Sequence, residues 1–240
     1  MTINYWPNFE TPALELKQFV ANGALGDPVH VESFYGYDLG GRFGQALVTD
    51  QNHWVHNLPG KLFHNVLDHA ISKITPFLKD EKLSVLARAY CWRSTPNDTG
   101  EFFPDELRVM ILGGSTSAYV TFCSHARPVS HFLRIYGTKN TVHTDFALRS
   151  MLVEQRQTFP TAVGRLVPPF KFTWKALGQA TRNVGEFARS RYHYFAGMNR
   201  LLSCFYDSIR NDSVIPIPYT EILRVSELMD EIFAQIYPAV

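Results

Sequence analysis

The chain is poor in several things, and each absence excludes something. Its 240 residues include three cysteines, Cys91, Cys123 and Cys204. They are odd in number, widely spaced and form no CxxC pair, which argues against a disulfide framework or a zinc site. They read as buried thiols in a reducing compartment. Charge is balanced, with 23 Lys+Arg against 22 Asp+Glu and a net of +1. That argues against nucleic acid as the main partner. No apolar run reaches the roughly 18 residues needed to cross a bilayer. The opening residues, Met1 to Pro7, have no basic stretch followed by an apolar one, so no secretory signal is visible. No GxGxxG follows a strand. Gly40-Gly41-Arg42-Phe43-Gly44 is glycine-rich but wrongly spaced, and no helix is expected to begin after it. There is no P-loop and no GxSxG. The composition is that of a cytoplasmic globular protein without a dinucleotide site of the usual kind.

Hydrophobic residues make up 45% of the chain and aromatic ones 14%, enough for one large core. A helix is expected over Ala13–Asn22, with Pro12 in its first turn and Gly23 as its stop. From Val29 to Tyr37 the alternation puts Val29, Val31, Ser33, Tyr35 and Tyr37 on one face of a strand. Leu39–Asn57 reads as a long loop, a length often functional in compact domains. A helix over Gly60–Leu78 follows, with Pro76 marking a kink or stop. Strands are then expected at Leu83–Arg93, Glu106–Leu112, Ser117–Cys123, His131–Tyr136, Thr141–His143 and Arg149–Glu154. Gly113-Gly114-Ser115 suits a hairpin turn, and Gly137–Asn140 forms another turn. Helical spacing returns in Met198–Ile209 and Ile222–Ile236, with Thr220 a candidate N-cap. Strands and helices are segregated. The fold class expected is α+β, a large mostly antiparallel sheet covered on one face by helices, with a helical C-terminal third.

The densest chemistry lies in Leu58–Ser72. Here His64, Asn65, Asp68 and His69 stand among Leu62, Phe63, Val66, Leu67 and Ile71. Polar groups in such company are unfavourable unless paired or used. His64 and Asp68 are four apart, as are Asn65 and His69, so each pair shares a helix face. Spacing alone leaves two readings open: a satisfied core pair with a solvated one, or a His oriented by its neighbour for general acid–base work. A metal site is disfavoured, because His64 and His69 lie about 140° apart around the helix.

This helix resembles the active-site helix of the Gfo/Idh/MocA family, the relatives of glucose–fructose oxidoreductase and inositol dehydrogenase. Pro59-Gly60-Lys61 stands at that family's glycine cluster, Asn65 at its Asp, His69 at its His and Ile71-Ser72 at the closing pair. Leu16–Pro28 resembles the last helix of the family's cofactor domain and the turn into the sheet. Ile135–Asn140 resembles its late glycine turn. Phe205–Asn211 with Pro216-Ile217-Pro218 resembles its closing helices. The resemblance implies a C-terminal substrate-binding and oligomerisation domain at residues 27–240, after a remnant of the cofactor domain at 1–26.

By that resemblance the activity is oxidation of a sugar or polyol, with NAD or NADP as cofactor and no binding motif for it in this chain. His69 would handle the hydroxyl proton, with Asn65 fixing the substrate. Tyr35, Tyr37, Arg42, Lys61, His64 and Asp68 are candidate substrate contacts. The substrate would be sugar-like or a nucleotide sugar. The chain would be a truncated product, or half of a split enzyme whose Rossmann domain is a separate chain. The alternative is a non-catalytic binding or assembly protein derived from the family. Departures from the pattern are Asn65 for Asp, which cannot relay a proton in the same way, and Lys61 for Gly.

Two further expectations concern surfaces. Strands Leu83–Arg93, Glu106–Leu112 and Ser117–Cys123 carry apolar residues on both faces, which predicts a homo-oligomer formed through the sheet. The segment Thr161–His193 holds Arg165, Lys171, Lys175, Arg182, Arg189 and Arg191 against Glu186 alone, a net of +5. It reads first as an insertion packed on its own domain or a neighbouring subunit. A lid over an anionic substrate comes second. Attachment to an anionic membrane surface comes third and is the least favoured.

Overall fold

The computed structural model describes residues 2–50, 52–92, 104–155 and 161–237; the side chains of residue 43 and residues 161–163 are outside that description. Six helices and seven strands follow in the order α1 (Thr11–Ala21), β1 (Pro28–Gly36), α2 (Arg42–Thr49), α3 (Lys61–Ile74), β2 (Ser84–Tyr90), β3 (Glu106–Leu112), β4 (Ser117–Cys123), β5 (His131–Gly137), β6 (Asn140–Asp145), β7 (Ser150–Gln155), α4 (Thr161–Ala188), α5 (Ala196–Arg210) and α6 (Tyr219–Ile236). Single 3-10 turns occupy Trp6–Phe9, Trp54–Asn57 and Thr75–Phe77. The sheet has strand order β2-β3-β4-β1-β5-β6-β7. The pairs β2/β3, β3/β4, β5/β6 and β6/β7 are antiparallel. The fold class is α+β, as the segregation of strands and helices requires.

The chain forms two compact units. One comprises Val31–His131 and Pro218–Val240. Alternation decides its layers: Val31, Ser33 and Tyr35 of β1, Leu107, Val109 and Ile111 of β3, and Ala118, Val120 and Phe122 of β4 are all buried. They lie on the face that α3 and α6 cover, α3 against β4 and α6 against β2. Helix α3 gives this core Leu62, Phe63, Val66, Leu67, Ala70, Ile71 and Ile74. Pro76 cannot donate an amide hydrogen bond, and the helix passes into a 3-10 turn around it. The opposite sheet face carries Leu86, Met110 and Tyr119 in one transverse row; Leu86 and Tyr119 are exposed.

The other unit comprises Met1–His30 and Phe132–Ile217. Here α1 packs on β6 and β7. The turn after α1 seats against the turn between β5 and β6. Lys139 donates its amide to Leu25 O, Asn140 Nδ2 donates to Ala24 O at 2.7 Å, and Thr138 Oγ1 accepts from the Asp27 amide at 3.0 Å. Gly137 must be glycine, because a Cβ there would enter the Leu25 carbonyl.

Several expectations need correction. Leu39–Asn57 is not a loop: α2 and a 3-10 turn lie inside it, and α2 begins at Arg42 within the glycine-rich stretch. Gly44 is required there because a Cβ would collide with the Asp38 carbonyl and Leu39. In sequence Gly178 and Gly185 argue against a continuous helix, yet 161–188 is one helix, with Pro168 and Pro169 also inside it. Thr220 is not a cap; α6 starts at Tyr219 behind Pro218, with no side-chain cap. Cys204 is exposed and Cys91 and Cys123 are half-buried, so the thiols are not core groups. The expected strand end at Arg93 lies outside the described residues.

Candidate active site

Helix α3 enters through the turn Leu58-Pro59-Gly60. Gly60 is buried, and a Cβ on it would strike the ring of Phe233 from α6. Lys61 then takes φ 45°, a left-handed conformation that favours glycine. A glycine would take this backbone shape without strain, and here a lysine holds it. Its ammonium sits 5.9 Å from the centroid of the Tyr237 ring.

One turn later the polar residues separate. His64 points to α6 and stacks on Phe233, with ring centroids 5.3 Å apart and planes at 21°. Its Nδ1 is buried without a hydrogen-bond partner among the described residues. Asn65 is half-buried. Asp68 and His69 pair with each other as sequence neighbours, not across a helical turn. The His69 amide donates to Asp68 Oδ1 at 2.7 Å, and His69 Nδ1 lies 3.5 Å from the same oxygen.

His69 faces β1. Its ring centroid is 6.3 Å from that of Tyr35, and Tyr35 stacks on His131 at 4.2 Å. His131 Nε2 donates to the Gly36 carbonyl at 2.5 Å, which fixes its tautomer, since a carbonyl only accepts. Lys73, one turn after His69 and only 4% exposed, places its ammonium 5.4 Å from the Tyr35 centroid. The structure thus gathers Tyr35, Asp68, His69, Lys73 and His131.

Of the other expected residues, Tyr37 packs on Phe122 at 6.0 Å, and Arg42 is exposed at the start of α2. Lys61 and His64 are turned toward Tyr237 and Phe233. Lys73 and His131 were missed from sequence. The available signals were a lysine four residues after His69 inside an apolar face, and a histidine in register with Leu133 and Ile135 on the inward face of β5.

The environment sets the protonation states. Burial pushes the Asp68 carboxyl up from 3.8 to about 7, against the lowering effect of the His69 amide. Burial pushes His69 down from 6.5 to about 4, aided by the positive charge of Lys73 and by His131. At neutral pH His69 is therefore a neutral imidazole, and Asp68 is near its midpoint. Such a pair can accept a hydrogen bond from a hydroxyl and hold or release one proton near pH 7.

The glycine turn offers no cradle for a dinucleotide. The Gly40 amide donates to Asp38 Oδ1 at 3.0 Å, and Asp38 also binds Arg127 at 2.7 Å. The Asp38 carboxylate, itself paired with Arg127, already occupies the amide that a pyrophosphate would need. Among the described residues, no three His, Cys, Asp or Glu side chains converge as a metal site requires.

An α+β domain of this kind, an open sheet with helices over the buried face, is a fold that solved dehydrogenase structures share. Among them are the WlbA dehydrogenase from Bordetella pertussis in complex with NADH and UDP-GlcNAcA, at TM-score 0.65 and 12% identity, and the UDP-N-acetylglucosamine 3-dehydrogenase GnnA from Acidithiobacillus ferrooxidans, at 0.61 and 11%. An oxidoreductase from Agrobacterium radiobacter in complex with NAD+, L-tartaric acid and magnesium aligns at 0.61 and 12%. Each match covers 98% of this chain, but only 62%, 61% and 62% of the respective partner. The chain thus spans about three fifths of the length of these structures. No protein-family model matches the sequence, and no curated protein matches it.

Proposed function

We propose that this chain is the substrate-binding and oligomerisation part of an NAD(P)-dependent sugar or polyol oxidoreductase of the Gfo/Idh/MocA type. The carrying observation is the cluster Asp68–His69–Lys73–Tyr35–His131, buried or half-buried on α3 and the inward sheet face. In this reading residues 27–240 form the substrate domain, and 1–26 correspond to the end of a cofactor domain.

The ligand is a sugar-like hydroxyl compound, and a nucleotide sugar is the favoured class because WlbA is in complex with UDP-GlcNAcA and GnnA is a UDP-N-acetylglucosamine 3-dehydrogenase. His69, kept neutral by burial, accepts the hydroxyl hydrogen bond, and Asp68 beside it holds or releases the proton. Asn65 contacts the substrate from the same helix face as His69. Lys73 favours negative charge developing on the substrate oxygen. The residues at the glycine turn do not fit NAD or NADP, so the nicotinamide is assigned to a separate Rossmann domain. The unfit turn equally favours the second reading, a non-catalytic binder derived from the same fold.

Calorimetric titration of the purified chain tests the ligand class. UDP-N-acetylglucosamine is expected to bind, and NADH alone is not. Tight NADH binding without any partner, or no response to any nucleotide sugar, would overturn the reading.

A further inference from the structure

Helix α4 is amphipathic in the unusual sense. Its polar side faces its own compact unit. Lys175 Nζ donates to Val153 O at 3.1 Å, and Asn183 Nδ2 to Leu148 O at 3.0 Å. Gln179 Nε2 reaches Met151 O at 3.5 Å, and Arg182 pairs with Glu15 of α1. Lys175, Gln179 and Asn183 thus serve carbonyls of β7, the last strand of the sheet, and of the turn before it. Polar groups thus carry the attachment, where a surface helix ordinarily uses its apolar stripe.

The apolar stripe faces outward. Leu166, Phe170, Trp174, Leu177, Val184 and Phe187 recur at spacings of three, four and seven, one face of a helix about 42 Å long. Phe170 is 72% exposed, Trp174 76% and Phe187 71%. A contiguous stripe of this size on a soluble surface marks an interaction site.

Charge identifies the occupant. The exposed basic residues of the segment are Arg165, Lys171, Arg189 and Arg191. Its one acid, Glu186, is half-buried. The segment carries +5 while the remaining chain carries −4. Pairing with a second copy antiparallel would bring Arg165 and Lys171 against Arg189 and Arg191 with no exposed acid between them. An anionic lipid surface receives the same charges favourably and takes up the aromatic stripe. No described helix is long and apolar enough to cross a membrane, so α4 would lie on the surface.

We propose that α4 docks the protein onto an anionic phospholipid surface, with the Leu166–Phe187 stripe inserted and the exposed Arg and Lys residues at the headgroups. Of the three readings of 161–193 this one came last, because sequence could not show which side of the helix faces outward.

Vesicle flotation of the full chain tests this. Partition is expected into phosphatidylcholine vesicles containing phosphatidylglycerol. It should be at least about tenfold weaker into phosphatidylcholine alone, and weaken as salt rises. Trp174 emission should shift to the blue only with the anionic vesicles. The double variant Phe170→Ser with Trp174→Ser alters side chains that are already exposed, so the fold should survive and partition should be lost. Arg165→Glu with Lys171→Glu should lower partition about tenfold with the stripe intact. No partition into anionic vesicles would overturn the proposal, as would partition unchanged by either variant. An oligomer that the Ser variants dissociate, in a chain that ignores vesicles, would also overturn it and assign the stripe to a second copy.

Discussion

Asp68 and His69 share one oxygen contact but titrate in opposite senses. The folded chain keeps a proton on Asp68 that the unfolded chain releases above pH 3.8, so this group makes stability fall as pH rises from about 4 through 7. The unfolded chain protonates His69 below 6.5, and the folded chain resists this until about 4. That group makes stability rise over the same window. In the wild-type chain the two trends largely cancel. Chemical denaturation at several pH values should separate them. Asp68→Asn should leave a protein that gains about 2–3 kcal/mol between pH 4 and 6.5, and His69→Gln one that loses about 2–4 kcal/mol between pH 4 and 7. Flat profiles in both variants would show that neither group is desolvated. Lys61 offers a second test at this scale. Its φ of 45° is strained for a side-chain-bearing residue. Lys61→Gly should therefore raise stability by up to about 1 kcal/mol, measured by the same denaturation. Tyr35 was legible in the sequence because strict alternation marks the inward face of β1. Lys73 was not, because a lysine in an apolar run signals burial only once the facing strand is known.

Helices differed in how far their sequences betrayed them. Helix α3 was readable because its apolar positions keep helical period and Pro76 ends it. Helix α2 was hidden: three glycines in five residues suggest a loop, yet Gly44 serves close packing on Asp38 and Leu39 inside a helix. Spacing put His64 with Asp68 and Asn65 with His69 on shared faces of α3 but left their partners open. His64 is drawn to Phe233, and Asp68 turns to its neighbour, because the contacts of α6 and β1 outweigh a weak intrahelical pair. The α3–α6 contact itself is testable. Gly60→Ala would drive a methyl into the Phe233 ring, and a loss of about 1–3 kcal/mol in denaturant unfolding is expected. An unchanged midpoint would mean that α6 does not press on this turn.

For the whole chain, the strand segments and the α+β class follow from alternation, aromatic content and turn chemistry, and four of the six strands after α3 have both ends within one residue of expectation. Orientation of elements does not follow, which is why the outward stripe of α4 needed a structure. The open sheet face with Leu86, Met110 and Tyr119 supports the proposed homo-oligomer. Light scattering at micromolar concentration should give a mass above that of one 27.4 kDa chain, and Tyr119→Asp should reduce it toward the monomer. A monomeric wild-type chain would refute that role for the sheet.

The central proposal, that His69 and not His64 meets the sugar hydroxyl, is tested most directly by NMR of the histidine ring signals during titration with UDP-N-acetylglucosamine. The His69 resonances should shift saturably while His64, stacked on Phe233, stays still. His69→Ala should weaken binding at least about tenfold, the loss of one buried polar contact. A saturable shift at His64 with His69 unmoved would contradict the assignment.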